Sequence, residues 1–122
     1  MFTVQRIYDY RPAAGQTAVF IDRLYPRGVT KEKFAAAEWL KDIAPSAELR
    51  RWYHEDPAQH FAAFVTRYHG ELQGETQQKA VAHLLELEKQ HGAVLILTAV
   101  KNPQQSHVSA LAQYLGIPFV YR

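Results

Sequence analysis

Between Asp22 and Gly28 the chain reads DRLYPRG, which sets Arg23 and Arg27 four positions apart, with Pro26 just before the second arginine and Gly28 just after it. The proline fixes one backbone dihedral and the glycine frees the next, so the segment is expected to be a short rigid loop that presents two planar guanidinium forks. Such forks bind carboxylate and phosphate groups through paired hydrogen bonds. A second segment, TAVKNPQQSH from Thr98 to His107, brings Lys101 and a cap-plus-proline signal at Asn102-Pro103. A helix starting there would offer unpaired N–H groups and the positive end of its dipole to an anion. His107 falls one turn into that helix, and because a histidine side chain can change charge near neutral pH it is a candidate acid or base. Together these residues predict a pocket for a small phosphate- or carboxylate-bearing ligand, bound and open to turnover. Arg23, Arg27, Lys101 and Thr98 are the expected contacts, and Asp22 is a second candidate for proton transfer.

The same residues have a structural reading. Arg23 and Arg27 would then pair with Asp22, Asp42 or the C-terminal carboxylate and pin a long loop. Asp22 precedes Arg23 and Asp42 follows Lys41, so each carboxylate is expected to have a cation within reach and a lowered pKa. No metal or cofactor is expected. His54 and His60 straddle Pro57 and share no helix face, and no H-E-x-x-H pattern occurs. His69, His83 and His91 sit beside apolar stripes or in a helix's last turn, where they read as structural.

Nine runs of sequence must position these groups. Val4 to Asp9 and Ala18 to Asp22 are β-prone, and the short gap between them predicts antiparallel neighbours. An Ala-rich helical segment from Thr30 carries Phe34, Trp39 and Leu40, and Ser46 caps a short helix bearing Leu49, Trp52 and Tyr53. Asp56-Pro57 starts a helix whose stripe is Phe61, Phe64, Val65, Tyr68 and Leu72. A further helix is expected from about Thr76 to Gln90, with Val81, Leu84 and Leu85 on its apolar side and His91-Gly92 as its stop. Ala93 to Leu97 is uniformly apolar, as in a central strand covered on both faces. Val108, Leu111, Ala112 and Leu115 stripe the following helix, and Ile117 to Tyr121 is a closing edge strand, because Pro118 has no N–H for a ladder. The expected fold is therefore a single compact α/β domain over residues 1–122, with a small, mixed, mostly parallel sheet flanked by helices on both faces.

Composition removes several function classes. The 122 residues carry 14 Lys plus Arg against 12 Asp plus Glu and contain no cysteine, which excludes disulfides, thiolate catalysis and Cys-ligated metal centres. The longest apolar run, Ala93 to Val100, is far short of the ~18 to 20 residues that cross a bilayer. No membrane partner is therefore expected, and a cytoplasmic location is. Lys31, Lys33, Lys41, Arg50 and Arg51 gather in one basic segment, the basis for a rival reading as a nucleic-acid-binding or regulatory protein. Glu32, Glu38, Asp42 and Glu48 interleave with them, however, and alternating signs mark a solvated face more often than a polyanion site. A third reading is an interaction module with no ligand.

Several motifs taken together resemble the YeaO-like branch of the domain-of-unknown-function 488 family: RIYDYR from Arg6, DRLYPRGV from Asp22, WLKDIAPS from Trp39, LRRW from Leu49 and the Asp56-Pro57 pair. The resemblance spans nearly the whole chain. It implies a small cytoplasmic bacterial α/β protein with no named reaction. It also adds Lys41, Asp42 and Ser46 to the residues of interest, with Lys41 and Asp42 as further expected ligand contacts. Three positions depart from the family pattern. Tyr25 stands where tryptophan is usual and Thr98 where tyrosine is frequent, and Asn102 to Ser106 replace an acidic, His-containing run. The last change makes the expected pocket more positive.

Overall fold

Val94–Thr98 forms β4, every residue of which is buried. Its alternate side chains feed two separate cores, Val94 and Ile96 on one face of the sheet and Leu95 and Leu97 on the other. A strand covered on both faces has no use for polar alternation, which explains the uniform run. The computed structural model describes all residues from Met1 to Arg122. Around β4 are β1 (Phe2–Arg6), β2 (Ala18–Phe20), β3 (Glu38–Trp39) and β5 (Phe119–Tyr121), in the order β3-β2-β4-β1-β5. Every pairing is parallel, with Val4 and Val19 flanking Ile96 from opposite sides.

The sheet is thus not mixed, and β1 and β2 are not antiparallel neighbours. Both pair with β4, which lies between them. The eleven residues from Ile7 to Thr17 can span roughly 36 Å when extended, about twice the length of a five-residue strand. They therefore carry the chain back for a parallel return without a full crossover helix. Gly15, at φ +77°, makes a turn in this connection that residues with a β-carbon rarely adopt.

Four helices cover one face: α2 (Ala47–Glu55), α3 (Pro57–Glu71), α4 (Glu75–His91) and α5 (His107–Leu115). Phe64 and Tyr68 of α3, Leu72 just after it, Leu84 of α4 and Leu111 of α5 are buried there among Phe2, Val4 and Ile96. The expected stripes hold, except that Leu85 stays exposed. The other face is covered by the short α1 (Lys31–Ala35) and its neighbouring loops, through Phe34, Val29 and Trp39. Trp39 and Leu40 are not helical. Glu38–Trp39 pairs with β2, and the Leu40 N–H bonds the Phe20 carbonyl at 2.9 Å. The Trp39 ring meets Phe20, Phe34 and Tyr25 edge-on and donates Nε1–H to the Asp22 carbonyl at 2.7 Å. Tertiary contacts here override the helix propensity of the alanines.

Ser46 caps α2 as expected, accepting from the Leu49 N–H at 3.1 Å. Its own N–H and hydroxyl both donate to Glu71, at the far end of α3, at 2.8 and 2.6 Å. One carboxylate thus locks the start of α2 to the end of α3. Replacing Glu71 with alanine leaves two half-buried donors unpaired and should destabilise the protein by about 1–3 kcal/mol, measured by denaturant unfolding.

Candidate functional site

Because every strand is parallel, the ends of β1, β2 and β4 open on one edge, where ligands settle in α/β sheets. A cleft of about 640 Å³ lies there, within the usual range for small-molecule sites. Tyr8 lines it from beyond β1, Asp22 to Arg27 from beyond β2, and Ala99 to Asn102 from beyond β4. Arg50, Tyr53 and His54 line it from α2, and Ser106 and His107 from the start of α5.

Asp22 is fixed in this cleft by three donors. Thr98 Oγ1 and His107 Nε2 bond Oδ1 at 2.7 and 3.0 Å, and the Ala99 N–H bonds Oδ2 at 2.8 Å. Burial alone would raise the pKa of this carboxyl, but the bonds and charge of His107 and the bonds from Ala99 and Thr98 outweigh it, and the pKa is lowered. His107 is itself buried, and Nε2 also lies 3.2 Å from the Ile21 carbonyl. Two acceptors at one ring nitrogen require it to carry the proton. The expected lowering of the Asp22 pKa is present, but its partner is a histidine and not an arginine.

The arginines divide into two kinds. Arg23 donates Nε–H to Pro45 O at 2.7 Å and Nη2 to Ala44 O at 3.1 Å. Arg6 does the same for the loop after β4, reaching Val100 O at 3.0 Å and Ala99 O at 3.2 Å. Both forks hold backbone. Arg27, Arg50 and Lys101 are exposed, line the cleft and pair with no carboxylate. Neither Arg23 nor Arg27 reaches Asp22, Asp42 or the C-terminus. His54 lies close enough to Arg50 and His107 that burial and these two charges lower its pKa.

A family described as the Inactive DUF488-N3 subclade matches residues 1–119. The chain belongs to the DUF488 family. It is 40% identical over 116 residues to the uncharacterized protein Rv3073c of Mycobacterium tuberculosis, covering 93% of this chain and 92% of that one. It is 36% identical over 112 residues to the uncharacterized protein YeaO of Escherichia coli, covering 91% and 93%. No solved structure matches.

In this DUF488 chain the DRLYPRG loop and the Thr98 to His107 segment do meet. Thr98 is wholly buried beneath the cleft, however, and its hydroxyl is engaged by Asp22. Lys41 and Asp42 do not line the cleft. They lie on a 3₁₀ turn, with the Lys41 ammonium 4.9 Å from the Trp39 ring. The helix after β4 starts at His107 rather than Pro103. Ser106 caps it, accepting from the Val108 N–H, while Asn102 caps nothing. Its first turn is thus partly satisfied from within. The sequence does not mark Tyr8, Tyr53 or His54 as site residues, and it marks Arg50 only as part of the basic segment. Arg50, Tyr53 and His54 stand at spacings of three and four, which marks a single helix face, but only the packing of α2 shows where that face points. Tyr53 bonds Gln105 O at 2.7 Å and so ties α2 to the loop before α5. No group of three His, Asp or Glu side chains comes together to hold a metal.

Asp22→Asn should cost roughly 2–4 kcal/mol, because it weakens a buried charged network. The sign of the pH effect follows from the lowered pKa. The carboxylate's contribution is present above about pH 4, the unfolded value, and is lost as pH falls through the lower folded value. Acid unfolding followed by circular dichroism should therefore be steeper in the parent protein than in the variant.

Proposed function

We infer that the cleft binds a small phosphate- or carboxylate-bearing ligand and does not turn it over. The observation that carries this reading is the imbalance of charge. Arg27, Arg50 and Lys101 line the cleft without a carboxylate partner, and its one acidic lining residue, Asp22, is engaged by His107, Thr98 and Ala99. Cations left unneutralised in a concave, partly desolvated site attract an anion more strongly than the same cations on an open surface. Binding without chemistry fits the state of the two candidate proton carriers. A general base needs a raised pKa and a free oxygen, whereas Asp22 has a lowered pKa and both oxygens bonded. His107 is buried, with its proton held between Asp22 and Ile21. The description of the matching subclade as inactive agrees with this.

Sulfate tests the reading, since its charge is constant across the range in which histidine titrates. It should raise the melting temperature by mass action, and Arg27→Met with Lys101→Met should abolish the rise. An undiminished rise in the double variant overturns the reading. The His54 pKa lies below its ordinary value in the free protein, and an anion beside it would raise it, so binding takes up a proton. Sulfate affinity measured by calorimetry should therefore increase from pH 8 to pH 5.5, and His54→Gln should flatten the dependence.

A further inference from the structure

Six large apolar side chains of this protein are exposed, and three of them, Tyr8, Leu24 and Tyr25, line the cleft. Scattered exposed apolar residues need no explanation, but a cluster at the rim of a charged hollow does. Tyr8 is 41% exposed and Tyr25 43% exposed, yet both are held in place. The Arg6 guanidinium lies 5.0 Å from the Tyr8 ring centre, and Lys33 Nζ bonds the Tyr8 carbonyl at 3.3 Å. The Tyr25 hydroxyl donates to Val29 O at 2.8 Å, and its ring rests against Phe34 at 4.7 Å between centres. Rings fixed by the protein lose little freedom when a ligand stacks on them, so their contact area converts efficiently into affinity.

Resting on the anion-binding reading of the same cleft, we propose that its ligand is an aromatic anion, a flat ring joined to a phosphate or carboxylate. The ring lies against Tyr8 and Tyr25, with Leu24 covering its edge, and the anionic group meets Arg27, Arg50 and Lys101. Size agrees, since about 640 Å³ accommodates a phosphate ester with one ring system. A simple aryl phosphate and a nucleoside monophosphate share this chemistry.

Calorimetric titration with methyl phosphate, phenyl phosphate and adenosine monophosphate, which carry the same ionisable group, separates the contributions. Stacking on an aromatic side chain is worth enough for about tenfold in affinity. Phenyl phosphate or adenosine monophosphate should therefore bind at least about tenfold more tightly than methyl phosphate. The better of the two identifies the source of the ring. Tyr8→Leu should reduce that preference to about threefold or less, and Tyr8→Phe should restore it. Equal affinity for all three esters overturns the aromatic proposal while leaving the anion reading standing. Failure of every ester to bind overturns both.

Discussion

The Asp22 carboxylate joins the end of β2, the end of β4 and the first residue of α5 at a single point. A charge that far from water is tolerated only when donors surround it, and here a hydroxyl, a backbone N–H and an imidazole N–H do so. Its own carbonyl is held by Trp39. The consequence extends well beyond the residue. Both long segments that wall the cleft, 22–28 and 98–107, are anchored here, so the shape of the hollow depends on one hydrogen-bonded carboxylate. The same bonds remove Asp22 as a counter-charge for the cations at the rim.

The arginines complete that division of labour. Guanidinium forks suit planar acceptors, and two of them, on Arg6 and Arg23, grip the carbonyls of Ala99, Val100, Ala44 and Pro45. Arg6 thus clamps the segment after β4, and Arg23 ties the segment after β2 to the residues before α2. The carboxylates that meet a nitrogen base meet the N-terminus and two histidines, not a lysine or an arginine. Arg27, Arg50 and Lys101 therefore keep their charge uncompensated, and a nearly neutral protein can carry a locally positive cleft.

Much of the frame was legible in the sequence because local signals decided it. The Asp56-Pro57 start, the stripe through Phe64, Tyr68 and Leu72 and the Gly92 stop each act within one or two turns, and β4 declared its central place by losing all alternation. What stayed hidden depends on contacts distant in the chain. The parallel pairing of β1 and β2 required β4, more than seventy residues on, to come between them. Trp39 looked helical because its alanines are, and it became a strand residue through Phe20 and Asp22. The site loop was recognisable from its arginines, proline and glycine, yet Arg23 turned from expected ligand contact into clamp because its fork meets backbone oxygens. Arg50 and His54 became visible as cleft residues only once α2 was packed beside the sheet.

If Asp22 is the permanently ionised anchor of both walls, its titration is the most direct measurement. Carbon-13 NMR of the Asp22 carboxyl in the parent protein should give a midpoint below the ordinary aspartate value of about 3.9, with the His107 Nε2 proton remaining in place above it. A midpoint at or above about pH 6, where a carboxyl becomes a working acid or base, would contradict the account and return Asp22 to the chemistry of the cleft.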